Sequence, residues 1–371
     1  MKADPIGLYL HIPFCKRKCA YCDFCSFPQS LNHSKEEYIK ALCNEIGQYK
    51  GRDISVNTVF FGGGTPSLLS ARELSLIINT VNETFDLTSD AEITLEANPG
   101  TVSKAALGDY RDLGINRLSF GLQSIHENEL KRLGRIHNFN DFVSSFSAAR
   151  EVGFENINVD IMFGIPNQTE ASFAETVKTV SSFAPEHLSL YGLILEEGTP
   201  LYKSRNELIL PDEDAECRMY YSAAEILAGL GYEHYEISNY AKDGFRCKHN
   251  LKYWKYGDYL GVGLSAHSYL FGERFNNTSD FQKYLSGKYI EHTEAESDSD
   301  REFEYAMLAL RLKDGICERD YCERFNKSFI KDREEKLAAL SALGLLNYSS
   351  ERVALTEKGF YLSNTILSEL I

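Results

Sequence analysis

Basic residues are scarce in this chain. Its 371 residues carry 39 Lys and Arg against 54 Asp and Glu, a formal net charge of -15. That deficit argues against a general nucleic-acid binder, because no basic stripe is present to displace counterions from phosphates, although a local basic pocket is not excluded. Long apolar runs are missing too. No window approaches about 18 uninterrupted apolar residues, so no transmembrane segment is expected. Met1 to Leu10 lacks the apolar core and small-residue cleavage site of a signal peptide. These absences predict a soluble, cytoplasmic protein. No biased tract interrupts a composition that is 43% hydrophobic and 25% charged, and the length suffices for one large domain plus a small one.

Cysteine is present in number but not in a disulfide pattern. Nine cysteines would suit a disulfide scaffold only in a short secreted chain. Four of them (Cys15, Cys19, Cys22 and Cys25) fall within eleven residues, whereas Cys43, Cys217, Cys247, Cys317 and Cys322 are scattered and read as small buried or surface thiols. Zinc sites usually pair two CxxC halves and close the metal with four ligands, but here the next candidate, Cys25, lies inside the same loop and no CxxC or HxxxH follows downstream of it. Three thiolates at CxxxCxxC spacing can instead hold three irons of a four-iron cluster and leave the fourth open to a substrate.

From residue 7 to about 192, short β-rich runs alternate with amphipathic stretches. Strands are expected at Leu8–Ile12, Thr58–Phe61, Glu92–Ala97, Arg117–Phe120, Asn156–Met162 and His187–Tyr191. Helices are expected at Lys35–Tyr49, Ala71–Phe85, Lys104–Leu113, Phe139–Glu151 and Ser172–Phe183. This alternation, with no hairpin signal, predicts an α/β fold of parallel strands joined by right-handed crossovers. Periodicity does not choose between an open barrel and a doubly wound sheet. Residues 193 to about 296 read as less regular and rich in aromatics, and Glu291–Asp300 as an acidic linker. The remainder reads as helices followed by a short ribbon, similar to a winged helix, with a docking or lid role.

Residues able to do chemistry cluster at the expected C-terminal ends of strands, where sites of parallel α/β folds form. The Gly62–Pro66 run offers bare backbone N–H groups to a charged ligand group, with a plain tight turn as the competing role. Glu96 is a carboxylate at a strand end that can pair with a cationic ligand. Arg135 has the fork that grips a carboxylate. Asp160 is an acid in an otherwise apolar strand, either paired or facing hydroxyl groups such as those of a ribose.

The stretch Tyr9–Cys22, with its YLHIPFC and YCDF flanks, resembles the cluster signature of the radical S-adenosylmethionine enzymes, specifically the coproporphyrinogen-dehydrogenase-like branch. The resemblance implies a partial (β/α)6 TIM-like radical-SAM barrel with a small C-terminal helical, winged-helix-like domain. It divides the chain into a core at 1–235, a barrel-completing and haem-binding segment at 236–296, and a HemN-like helical domain at 297–371. It makes Cys15, Cys19 and Cys22 the ligands of a [4Fe-4S] cluster, with Cys25 left out. It carries S-adenosylmethionine contacts onto Tyr9, Tyr21, Gly63, Gly64, Thr65, Glu96, Gln123, Arg135 and Asp160.

Cys247–Trp254 contains HNxxYW, which resembles the signature of the HemW family of radical S-adenosylmethionine haem chaperones. There His249 would offer an imidazole to haem iron and the aromatics would offer flat faces to the macrocycle; Cys247 is an alternative axial thiolate. A packed corner closing the barrel base is the competing role for this stretch. His267, in the glycine-rich Gly261–Tyr269 segment, is a further site candidate. Two functions follow from the resemblance. One is a haem chaperone, with haem and haem-accepting proteins (among them membrane-associated respiratory enzymes) as partners. The other is an oxygen-independent coproporphyrinogen III dehydrogenase of porphyrin biosynthesis. HNxxYW, the CxxC spacing of Cys22 and Cys25, and a cluster motif starting at residue 15 with no N-terminal arm favour the chaperone.

Overall fold

Six strands run parallel in chain order: Ile6–Ile12, Ser55–Gly63, Asp86–Ala97, Arg117–Gln123, Ile157–Phe163 and His187–Gly192. Each pairs with the one that follows it. The sheet therefore winds in one direction with no switch in strand order, which makes it a partial barrel and not a doubly wound sheet. This computed structural model describes residues 4–31, 33–295 and 297–371, so the first three residues of the Met1–Leu10 stretch lie outside the described residues.

Between the strands lie the helices Lys35–Gly47, Ala71–Thr84, Lys104–Asp112, Phe139–Glu151 and Glu170–Ser182. Each begins on a Ser, Asn or Thr whose side chain accepts a hydrogen bond from a backbone N–H of the first turn, at Ser34, Ser70, Ser103, Asn138 and Thr169. Along the strands, side chains alternate between the two faces of the sheet. Leu118, Phe120, Ile157, Val159, Ile161, Leu188 and Leu190 are buried in the apolar core, each such side chain contributing about 1.5–3 kcal/mol relative to exposure. The intervening residues Arg117, Ser119, Asn158, Asp160 and Ser189 line the barrel interior.

The sheet extends beyond the barrel at both edges. Tyr259–Val262 adds in parallel to the first strand and is followed by antiparallel His267–Leu270, Glu273–Asn277 and Ile290–Ala295. At the other edge Asn239–Ala241 and Glu233–Glu236 pair antiparallel. Two expectations for this region are corrected. Residues 193–296 contain a regular helix, Glu213–Gly229, capped by Asp212; its buried side is carried by only Met219, Tyr220, Ala223 and Leu227, a thin apolar stripe. Glu291–Asp300, of which Glu296 lies outside the described residues, is not an irregular linker: Ile290–Ala295 is an exposed edge strand, and a Ser297/Asp300 capping box starts the helix Asp298–Ala309. Acidic side chains suit an edge strand because they discourage pairing with another chain.

After that helix, Ile316–Cys317, Leu346–Tyr348 and Arg352–Leu355 form a three-stranded sheet among short helices. The final helix breaks at Leu362 into Glu357–Tyr361 and Ser363–Leu370. Main-chain bonds from Ile237 to Arg311 and from Lys313 to Tyr235 join this part to the barrel edge. Among the described residues, no helix is long and apolar enough to cross a membrane.

Glu45 joins the edge strands to the barrel. It sits on the first helix at 3% exposure and accepts from Gly263 N at 2.9 Å, Asn277 Nδ2 at 2.6 Å and the Tyr284 hydroxyl at 2.6 Å. Burial pushes its carboxyl up to about 7 against the pull of those donors. Removing the shared acceptor strands three buried donors, so Glu45→Ala is expected to cost about 3 kcal/mol in unfolding free energy. Urea denaturation checks it; a loss within error of zero would show that Glu45 does not hold the edge strands.

Candidate functional site

The barrel interior holds two adjoining cavities. One, about 520 Å³, lies beside the cysteine loop; the other, about 680 Å³, runs from the mouth, at Phe24, Ser265 and His267, down to His249 and Tyr253. Gly63, Glu96, Ser119, Asp160 and Ser189 border both.

Cys15, Cys19 and Cys22 line the smaller cavity, together with Tyr21, Gly63, Gly64, Thr65, Glu96, Gln123, Arg135 and Asp160. Cys25 and Tyr9 line the larger one. A chain of hydrogen bonds ties two of the sulfurs together. Arg135 Nη1 donates to Cys19 Sγ at 3.4 Å and its Nη2 to Asn98 Oδ1 at 2.6 Å; Asn98 Nδ2 donates to Thr65 Oγ1 at 2.9 Å, and Thr65 Oγ1 to Cys15 Sγ at 3.6 Å. Arg135 also donates to the Gly121 carbonyl. Burial pushes the Cys15 thiol up and the Cys22 thiol up to about 11.

Among the described residues, no group of three His, Cys, Asp or Glu closes on a single metal ion. Three thiols on one cavity wall, with donors aimed at two of them, suit a cluster anchored at three corners, which could be held there without a fourth protein ligand.

The glycine run is used differently from the expectation of bare N–H groups. Gly63 N donates to Glu96 Oε2 at 3.2 Å, Gly64 N to Ile12 O at 2.9 Å and Thr65 N to Phe14 O at 2.8 Å. All three donors are engaged within the protein. A Cβ on Gly64 would sit 2.7 Å from both carbonyl oxygens, and Gly63 has φ +104° with the His11 ring against it. The glycines let this loop clasp the cysteine loop.

Gln123 also departs from regular backbone. It has φ +73° at a register shift in the fourth strand, and its Oε1 accepts from the Tyr191 hydroxyl at 2.9 Å. The bulge redirects a side chain at the site, a use to which bulges are commonly put. Asp160 accepts from Asn158 Nδ2 at 2.7 Å and from Ser119 Oγ at 3.4 Å, and burial raises its carboxyl. Burial, reinforced by Asp160, pushes Glu96 up to about 8. At neutral pH Glu96 is mostly protonated.

HNxxYW forms the short helix Lys248–Trp254, which closes the barrel floor. The Glu92 carboxylate receives the start of this helix: it accepts from Lys248 N at 3.2 Å, His249 N at 3.1 Å and Cys247 Sγ at 3.6 Å. His249 is 1% exposed and stacks on Phe60 with centroids 5.1 Å apart. Its imidazole is not free: Nδ1 bonds Thr58 Oγ1 and Nε2 bonds the Tyr253 hydroxyl, both at 2.8 Å. Cys247 is fully buried, with its thiol pushed up to about 12, first by burial. His267, by contrast, is exposed at the mouth.

Sequence reasoning missed Asn98, Arg117, Ser119, Asn158 and Ser189 as lining residues. The signal was present. In RLSFGLQ, NVDI and HLSL, every second residue is polar or small while its neighbours are apolar; a parallel strand buried on both faces should be apolar throughout, so this alternation marks a polar interior.

A sequence model of the Radical SAM superfamily matches residues 9–180, and one of the HemN C-terminal domain matches residues 297–362. The chain is similar to heme chaperone HemW of Haemophilus influenzae, at 38% identity over 86% of each chain. It is also similar to heme chaperone HemW of Escherichia coli, at 38% over 84% of each, and of Bacillus subtilis, at 35% over 98% of each. Among solved structures it resembles coproporphyrinogen III oxidase HemN of Escherichia coli, a radical SAM enzyme, with TM-score 0.85 and 24% identity over 99% of this chain and 90% of that one. That likeness establishes the fold.

Burial first, and then Arg117 and Lys252, push the His249 ring down to about 3. It should therefore stay neutral from about pH 8 down to about 4.5, whereas an ordinary His charges near 6.5. Ring-nitrogen NMR across that range checks this; a protonation step above pH 5 would contradict the buried placement.

Proposed function

The chain belongs to the HemW family of radical S-adenosylmethionine proteins, and from that membership we propose that it is a haem chaperone, binding haem as cargo and passing it to haem-accepting proteins. The observation that carries the reading is the HNxxYW helix, whose His249, Asn250 and Tyr253 wall the large cavity beside the flat faces of Tyr9, Phe60 and Tyr259. These residues combine an imidazole with apolar surfaces of the kind a macrocycle covers. Residues 236–296, which include this helix, are proposed as the haem-binding segment, between a core at 1–235 and a helical domain at 297–371. The cytoplasm is the proposed location, and membrane-associated respiratory enzymes are among the proposed acceptors.

Cys15, Cys19 and Cys22 would hold a [4Fe-4S] cluster, which when bound supplies one-electron chemistry toward S-adenosylmethionine. Arg135 would take the carboxylate of that ligand, and Asp160 its ribose. Tyr21, Gly63, Gly64, Thr65 and Gln123 would shape its pocket, with Tyr9 on the wall of the adjoining larger cavity, and Glu96 would face its cationic end. His249 becomes available to iron only when Tyr253 turns its hydroxyl away from Nε2. In that state Nδ1 carries the proton and donates to Thr58, which holds the ring orientation.

The protein, reconstituted with its cluster, is expected to bind haem in an absorbance titration. His249→Ala should weaken binding about tenfold or more, the scale seen when metal-site partners are lost, and leave the cluster spectrum unchanged. An unchanged haem affinity removes His249 from the site. An anaerobic coproporphyrinogen III assay on the same sample tests the other function; robust decarboxylation would overturn the chaperone reading.

Glu96 provides a separate check. A carboxyl raised to about 8 ionises as pH climbs through that value, and only the ionised form attracts a cation. The ratio of wild-type to Glu96→Gln affinity for S-adenosylmethionine should therefore rise between about pH 7 and about pH 9. A flat ratio places Glu96 away from the cationic end.

A further inference from the structure

Arg117 begins the fourth barrel strand and is 2% exposed, with its side chain on the wall of the large cavity near His249. Its Nε is buried with no hydrogen-bond partner among the described residues. Burial opposes its charge, and Cys247, Glu92, Tyr235 and Asp160 are the ionisable groups that face it. Each of those groups is already engaged. Glu92 accepts from the floor helix, Asp160 from Asn158 and Ser119, and Cys247 Sγ donates to Glu92. The Tyr235 hydroxyl bonds His187 Nε2 at 2.8 Å and Cys247 N at 3.2 Å.

Arg135 shows the contrast. It is only half-buried and its Nε likewise has no partner among the described residues, yet its two Nη atoms are bonded to Cys19, Asn98 and Gly121. Native interiors seldom leave a buried guanidinium unpaired, because its donors lose water and gain nothing. A planar fork with five donors matches a carboxylate in two parallel bonds. The same cavity offers aromatic faces at Tyr9, Phe60 and Tyr253. A ligand satisfying both features is flat and apolar over most of its area and carries a carboxylate at its edge. Haem meets that description through its propionates.

We propose that Arg117 is the carboxylate-reading group of the large cavity, gripping a propionate of bound haem and so deciding which edge of the macrocycle faces the floor. This rests on the haem-cargo reading and adds to it a determinant of specificity. S-adenosylmethionine also carries a carboxylate, but Arg117 does not border the cysteine cavity, whose own guanidinium is that of Arg135.

The test compares haem with haem dimethyl ester, in which both propionates are blocked, by absorbance titration of the cluster-reconstituted protein. Wild type should bind haem about tenfold more tightly than the ester, as expected for loss of one charge-assisted pair. Arg117→Gln should bind both alike, with ester and S-adenosylmethionine affinities unchanged. Arg117→Lys keeps the charge without the fork, and should discriminate less than wild type. It serves in place of Arg117→Gln should the latter not fold. Equal wild-type affinity for haem and ester, or full discrimination in a folded Arg117 variant, overturns the assignment of Arg117 and leaves the haem reading standing. A wild-type chain that binds neither porphyrin overturns the haem reading, and this inference with it. A loss of S-adenosylmethionine binding in Arg117→Gln would reassign the fork to that ligand and overturn the propionate assignment.

Discussion

The carboxylate of Glu92 is the constraint on which the interior depends. A partial barrel of parallel strands is open at its base, and something must close it without leaving backbone donors dry. Here the closure is the helix Lys248–Trp254, and Glu92 accepts its first buried N–H groups. A carboxylate at a helix start is favoured by both the unpaired donors and the dipole. The seat also fixes everything the helix carries. It sets the depth of His249 against Phe60 and Thr58, holds the Cys247 thiol, and supplies negative charge near Arg117 without occupying its fork.

Above that floor, the interior is a sequence of polar groups held away from water. Glu96 is pushed towards its neutral form and the His249 ring is kept neutral, both first by burial. Groups in that condition are poorly placed for stability, and such shifts concentrate where ligands bind. Near the mouth, the relay from Cys19 through Arg135, Asn98 and Thr65 to Cys15 links the cysteine loop to the ends of the second and third strands and to the loop after the helix Glu127–Arg132. A substitution at Asn98 would therefore be felt at both sulfurs, though Asn98 touches neither. Stability is carried elsewhere, by the apolar outer faces of the strands and by tethers such as Glu45.

Much of this fold could be read from local pattern. Apart from the third strand, which starts earlier, at Asp86, the strand–helix alternation placed the barrel elements to within a few residues, because caps such as Ser70 and Asn138 and the alternating stretches Leu8–Ile12 and Ile157–Met162 are local features. Where the local signal was thin, the reading failed. The helix Glu213–Gly229 presents few apolar residues to the core, and the strand Ile290–Ala295 is exposed throughout, so neither carries the periodicity that marks an element. Cysteine spacing and the HNxxYW motif were legible because they are short and contiguous. Their surroundings were not: Thr58 and His249 are 191 residues apart in the chain yet share a hydrogen bond.

The sequence by itself determined the chemistry on offer and the class of fold. Three cysteines on one loop, a glycine run after a strand and a polar alternation inside buried strands are all properties of neighbouring residues. Tertiary structure alone decided how those parts are used. It chose a barrel over a doubly wound sheet, since strand order depends on which edges meet across long crossovers. It engaged the N–H groups of Gly63, Gly64 and Thr65 within the protein, since only the packed loops bring their acceptors close. It occupied both nitrogens of His249 and left the Arg117 fork unmatched, because hydrogen-bond partnership is a property of assembled space, which no local pattern records.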